Sequence, residues 1–230
     1  MRIFLAGATG AIGRRLVPLL LGAGHDVTGS TRSREKAGEL SRRGITPVVV
    51  DMFDQAGVRR ALAEARPEIL IHQLTDLPKV FDPAQMEAAR ARNARLRAET
   101  TPVLLEAARQ AGVRRAIVQS ICFVYAPGRV PHDETDPINS PSVQVLEDTT
   151  LRTPGIDGVV LRYGRLWGPG TWADNPGEAP NLHVDAAAHA ALLAITRGAP
   201  GVYNIAEDDG AVTITKAVRE LGFDPGFRAA

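Results

Sequence analysis

The chain opens on a short apolar run, Arg2-Ile3-Phe4-Leu5-Ala6, which ends at once in Gly7-Ala8-Thr9-Gly10-Ala11-Ile12-Gly13. Directly after it, Ile12, Leu16, Leu19 and Leu20 recur at helical spacing, with Gly22 and Gly24 as stop signals and Pro18 as an interruption. Strand, glycine turn and helix in that order constrain the fold more than anything else in the sequence. The first glycine permits a tight turn, the second lets backbone approach a pyrophosphate, and the third allows the helix to pack closely on the sheet. The free N–H groups and partial positive charge of the helix N-terminus favour the same anion. Gly7, Thr9, Gly10, Ala11, Ile12 and Gly13 are therefore the expected phosphate-binding residues of a dinucleotide site.

The rest of the chain keeps alternating. Strands are predicted over 26–30, 46–50, 68–72, 115–119, 158–163 and 202–205, and helices over 33–43, 55–65, 143–151, 185–196 and 215–221. Between the fourth and fifth strands, Pro83 opens an Ala- and Arg-rich segment that runs to Gln110. Repeated βαβ units predict an α/β fold of Rossmann type, a doubly wound parallel sheet with helices on both faces. With 230 residues and no internal repeat, one domain spanning 1–230 is expected. The proline-rich 125–142 stretch, the loose 164–184 stretch and the C-terminal 205–230 part are expected to supply a small substrate cap.

Composition narrows the classes of function. Basic residues number 27 and acidic residues 26, so no global field draws the protein to nucleic acid or to an anionic membrane. The alternating arginines Arg90, Arg92, Arg95 and Arg97 read as a solvated or subunit-facing helix surface, not a nucleic-acid patch. Cys122 is the lone cysteine, which excludes a disulfide framework and a cysteine zinc site and suits a cytoplasmic protein. No apolar run reaches the roughly 18 residues of a membrane span, and no secretory leader is evident. His132, Asp133, Glu134 and Asp136 cluster in a loop without metal-ligand spacing, so no metal is expected.

Several segments together resemble the extended or atypical short-chain dehydrogenases/reductases, the NAD-dependent epimerase/dehydratase family. They are the Gly-x-x-Gly-x-x-Gly turn, Asp51-Met52, Ile71-His72-Gln73-Leu74-Thr75, Gln119-Ser120-Ile121-Cys122-Phe123-Val124-Tyr125, Leu161-Arg162-Tyr163-Gly164-Arg165-Leu166-Trp167-Gly168-Pro169-Gly170, His183-Val184-Asp185 and Val202-Tyr203-Asn204-Ile205. The resemblance implies adenine contacts at Asp51 and Met52, nicotinamide-ribose contacts at Gln73, Leu74 and Thr75, and a cofactor-facing or catalytic Ser120. It also implies a homodimer through the Pro83 to Gln110 segment. NAD enzymes of this kind place an acidic residue at the end of the second strand. Here Ser30, Thr31, Arg32, Ser33 and Arg34 stand there, read as free of a carboxylate that would repel a 2′-phosphate, so NADP is expected over NAD.

The family's tyrosine and lysine, four residues apart, are missing. The only lysines are Lys36, Lys79 and Lys216, and four residues beyond Tyr125, Tyr163 and Tyr203 stand Arg129, Trp167 and Glu207. The place where the pair belongs, shortly before Glu147, reads Asn139-Ser140-Pro141-Ser142-Val143-Gln144. Tyr125, with Arg129 as an imitation of the pair, and Tyr163 remain as atypical acids, and His183 reads as a structural residue at a helix start. A small carbonyl or hydroxyl substrate, reduced with such atypical residues, is the expected chemistry. A non-catalytic NADP-binding redox sensor and a nucleotide-sugar epimerase or dehydratase are the alternatives.

Overall fold

The computed structural model describes residues 1–78 and 80–229; Lys79, one of the three lysines, and Ala230, the end of the expected cap, lie outside the described residues. Seven strands form one parallel sheet: β1 (Arg2–Ala6), β2 (Asp26–Thr31), β3 (Thr46–Val49), β4 (Ile69–His72), β5 (Arg115–Ile121), β6 (Asp157–Tyr163) and, last in the chain, β9 (Gly201–Ile205). Their order across the sheet is β3-β2-β1-β4-β5-β6-β9. The chain winds outward from β1 to β3, then returns to the other side of β1 to continue, so β1 and β4 flank the switch point at which such folds bind ligands.

Side chains of each strand alternate between two layers. Ile3 and Leu5 face one core with Leu16 and Leu20 of α1 (Ala11–Gly22), Leu40 of α2 (Arg34–Arg42) and the alanines of α6 (Val184–Leu193). Phe4 and Ala6 face the other, with Leu62 of α3 (Gln55–Ala65), Leu104 and Leu105 of α4 (Met86–Gln110) and Leu146 of α5 (Pro141–Arg152). Ala186, Ala187, Ala188, Ala190 and Ala191 are all buried in α6, and these small side chains let it pack along α1. Helix α7 (Thr215–Leu221) closes the β9 edge. The predicted doubly wound α/β architecture is the one observed.

Two local expectations differ from the outcome. Pro18 does not interrupt α1, which runs from Ala11 to Gly22 through it; proline removes one helical N–H, and the buried face at Leu16, Val17 and Leu20 holds the helix across that gap. A second, two-stranded parallel sheet pairs β7 (Arg165–Trp167) with β8 (Asn181–His183), inside stretches that read as irregular. Three residues give no measurable period, so nothing in the sequence could mark them as strands. The Pro83 to Gln110 segment resolves into a 3-10 turn, Pro83–Gln85, followed by the 25 residues of α4.

Candidate functional site

The glycine turn sits at the C-terminal end of β1, pressed against the segment that leaves β4. Ala6 pairs with His72 in register, and the Gln73 N–H donates to the Ala6 carbonyl at 2.8 Å. Gly7 has a φ of +95°, and a Cβ there would stand 2.7 Å from the Gln73 carbonyl oxygen. A Cβ on Gly13 would run into the Gly7 carbonyl and stand 2.9 Å from Ala8 Cα, so the third glycine does pack helix on turn. Gly10 is the N-cap of α1 and supplies no side-chain cap, while Thr9 contributes its carbonyl to Arg14 Nε at 3.1 Å. The first-turn N–H groups, including those of Ala11 and Ile12, are thus left for something outside the helix.

Around this turn stand the other expected cofactor residues. Thr31 is buried at the end of β2, where its hydroxyl accepts from the Ser33 N–H at 3.2 Å, and Ser33 caps α2 by accepting from Lys36 N at 3.3 Å. Asp51 accepts from Phe53 N at 3.0 Å beside buried Met52. Gln73 is buried, Leu74 half-buried and Thr75 exposed at the mouth of the switch point. Gln73 Nε2 donates to the Tyr163 hydroxyl at 3.3 Å, while its Oε1 is buried with no partner among the described residues. An orphaned buried acceptor, a tight turn whose Gly7 and Gly13 leave no room for a Cβ and an uncapped helix N-terminus all fit a bound dinucleotide.

Arg32 brings a correction. Its guanidinium is not free of carboxylates: Asp76, from the segment after β4, lies 3.6 Å away and is shared with Arg92 at 3.5 Å. Sequence neighbours gave no warning, because Asp76 is 44 positions downstream and reaches Arg32 only through the β1 switch point.

The residues weighed as acids are held in one buried network that the sequence does not announce. Ser120, 1% exposed, donates to Glu147 Oε1 at 2.6 Å. Arg162 clamps the same carboxylate with two bonds, Nε to Oε1 at 2.9 Å and one terminal nitrogen to Oε2 at 2.7 Å. Its remaining nitrogen donates to the Tyr125 hydroxyl at 2.8 Å, and Tyr125 in turn donates to Asn204 Oδ1 at 2.7 Å. Burial pushes the Tyr125 phenol up to about 12, against the pull of Arg162. The cation beside Tyr125 is therefore Arg162, from β6, and not Arg129. Tyr163 is 1% exposed in the core and burial raises its phenol further still. His183 accepts from Asp185 N at 3.2 Å as the N-cap of α6 and packs edge-on against Trp167. His132 bonds Asp136 at 2.9 Å.

In the Asn139 to Gln144 stretch, where the resemblance places the missing pair, Val143 is fully buried in α5 and Asn139 is exposed. Glu147, Arg162 and Asn204 were missed as a unit because their partners come from α5, β6 and β9. The one legible clue was a charged residue, Arg162, inside an otherwise apolar strand.

His72 is fully buried at the end of β4, accepting from the Leu74 N–H through Nδ1 at 3.2 Å, which assigns the proton to Nε2, 3.4 Å from the Thr101 hydroxyl. Burial, aided by the Arg97 charge, lowers its pKa to about 4. The unfolded chain binds a proton near pH 6.5 and the folded chain does not until about pH 4, so His72 withdraws stability as pH falls through that window. The loss amounts to about 3 kcal/mol at most. Urea unfolding of the native protein against His72→Asn, from pH 7 to pH 4, is expected to show the steeper decline in the native protein. For the turn, Gly13→Ala is expected to lower Tm and abolish NAD(P)H binding by titration calorimetry, whereas Gly22→Ala, with open space around it, should do neither.

Residues 7–171 match the family model described as NAD(P)H-binding. A 3-diazoavenalumate denitrifying reductase from a Streptomyces species is 37% identical over 258 aligned positions, covering 98% of this chain and 83% of the relative. A Stigmatella aurantiaca 4-hydroxy-2-methyl-3-oxo-4-farnesyl-3,4-dihydroquinoline-1-oxide ketoreductase is 28% identical, covering 81% of this chain and 55% of the relative. Among solved structures, Thermotoga maritima UDP-glucose 4-epimerase with UDP-glucose superposes with a TM-score of 0.81 at 22% identity, covering 99% of this chain and 94% of the other. Thermus thermophilus UDP-glucose 4-epimerase in complex with NAD gives 0.74 at 24%, covering 100% and 86%. At such identities the epimerase structures speak for the fold. With its glycine turn, switch point and near-complete match to the Streptomyces reductase, the chain belongs to the NAD(P)H-binding family, in the short-chain dehydrogenase/reductase fold of the epimerases and dehydratases.

Proposed function

We propose that the protein is an NADPH-dependent reductase whose acceptor takes a hydride without needing a proton from the enzyme, and that this acceptor is a diazo-substituted arene. The observation that carries the reading is the state of the phenols. Tyr125 has committed its proton to Asn204 and is pushed up to about 12, Tyr163 is sealed in the core, and the Asn139 to Gln144 stretch holds no lysine to activate a tyrosine. A carbonyl needs an acid to protonate the developing alkoxide, and this site is poorly equipped to supply one. Bound at the glycine turn, NADPH supplies a hydride, and for an aryl diazonium the balance is Ar–N2+ plus NADPH giving Ar–H, N2 and NADP+.

No proton enters that balance, so the chain's own residues need only hold, orient and keep water out. Gly7, Gly10 and the α1 N-terminus serve the pyrophosphate; Gln73 Oε1 offers an acceptor at the switch point; the Glu147–Arg162 pair fixes Ser120 and Tyr125 as rigid walls. The name of the Streptomyces relative, a denitrifying reductase of a diazo compound, supports the same chemistry for this chain. The test measures NADPH oxidation and N2 release with a 2-diazophenol and with a panel of aldehydes and ketones. Stoichiometric N2 and oxidised cofactor are expected, with kcat/KM of Tyr125→Phe within about twofold of the native value. Faster turnover of a carbonyl, abolished in Tyr125→Phe, would overturn the reading, as would absence of turnover on the whole panel.

NADP preference rests on the end of β2, where Thr31, Arg32 and Ser33 offer a guanidinium, an N–H and two hydroxyls but no acid. A 2′-phosphate competes with Asp76 for Arg32 and brings the greater charge, which favours exchange of partners. Arg32→Ala is expected to weaken NADPH roughly tenfold or more, the worth of a charge-assisted bond, and to leave NADH within about twofold. Dissociation constants for the two cofactors check this, and tighter NADH binding by the native protein would refute it.

A further inference from the structure

Helix α4 turns one row of side chains toward the segment that leaves β4. Asn93 accepts the Asp76 N–H at 2.8 Å, and Thr101, two turns on, lies 3.4 Å from His72. Arg97 stands midway between them in the same i, i+4, i+8 row, facing the stretch Gln73-Leu74-Thr75 beside the switch point. It is half-buried, and among the described residues it makes neither an ion pair nor a hydrogen bond. Burial lowers its pKa while the Glu147 charge raises it.

The carboxylates within reach are already committed. Asp76 gives one oxygen to Arg32 and the other to Arg92. Glu147 gives both oxygens to Arg162 and one of them also to Ser120. Three guanidinium groups therefore share these two carboxylates, and Arg97 is left without one. A partly desolvated, unpaired cation destabilises a fold unless a ligand neutralises it.

We propose that Arg97 is the anchor for an anionic group of the substrate, a carboxylate carried on a planar aromatic body. The proposal rests on the reductase reading for the identity of the site and names the substrate class within it. Planarity follows from the outer end of the same segment, where the Phe81 and Trp172 rings meet at 5.5 Å with their planes tilted by 55°, and the Trp172 indole N–H donates to the Pro78 carbonyl at 2.9 Å. Phe81 is 52% and Trp172 39% exposed, so the mouth presents two aromatic rings that make few contacts of their own. A flat ring packs on these exposed aromatic faces, and its carboxylate reaches Arg97, a cation that no acid among the described residues claims.

The test is calorimetric binding of 4-hydroxycinnamate, and of its uncharged primary amide, to the NADP+-loaded protein and to Arg97→Met and Arg97→Lys. The carboxylate is expected to bind the native protein at least about tenfold more tightly than the amide. Arg97→Met should erase that difference, leave NADP+ affinity within about twofold, and hold or raise Tm, since it removes an uncompensated charge. Arg97→Lys should recover part of the preference. Equal binding of the carboxylate to native protein and Arg97→Met would overturn the proposal. So would a parallel loss of NADP+ affinity, which would assign Arg97 to the cofactor, or a drop in Tm, which would assign it to the fold. Carboxylate preference without any reduction of a diazo arene would keep the anion site and discard the hydride chemistry.

Discussion

Everything at the site depends on how close β1 and β4 bring two stretches of backbone. The sheet reverses its winding between them, so the turn after Ala6 and the segment after His72 emerge side by side with nothing between. Gly7 can stand against the Gln73 carbonyl only because it has no Cβ and adopts a φ of +95°. That contact fixes the direction in which α1 starts and hence where its free N–H groups point. It also fixes where Gln73, Asp76 and the rest of the post-β4 segment run, and α4 then reads that segment through Asn93, Arg97 and Thr101.

Arginine, not lysine, carries the positive charge of this chain, and the consequences are geometric. A lysine on α5 would be a mobile point charge able to tune a phenol. Here Arg162 forks onto Glu147 from the neighbouring strand and holds Tyr125 by a third nitrogen, which immobilises the phenol instead of activating it. Burial then raises the Tyr125 pKa further than the guanidinium lowers it. The same residue types that in another arrangement would make an acid make a wall here.

Local chemistry was legible in the sequence wherever it depended on neighbours in the chain. The strand, the glycine turn and the α1 periodicity follow from residues within a span of 22, and strands such as β4 (Ile69–His72) announce themselves by a short apolar run. The start of α2 at Ser33 and the helix start at His183 belong to the same class. What stayed hidden depends on topology. Asp76 reaches Arg32 across the switch point, Glu147 meets Arg162 across two elements, and β7 pairs with β8 on three residues each. Arg97 was hidden differently: it sits in a run of alternating arginines, and only the helix phase separates it from Arg95, which pairs with Glu99 on the outside.

These two kinds of arginine give the site its character. The outer ones, Arg92 and Arg95, are paired with acids and largely solvated, so water screens them and they add little to stability or specificity. Arg97 and Arg162 are drawn inward, where the same charge counts for more. Arg162 has its counter-ion in Glu147 and contributes rigidity; Arg97 has none among the described residues. A catalytic centre without a proton donor still needs a substrate held in one orientation, because a hydride moves only over a short, aligned gap. Under the proposed hydride chemistry, an unpaired guanidinium in that place would supply such orientation electrostatically, and the missing acid would cease to be a defect because the reaction requires none.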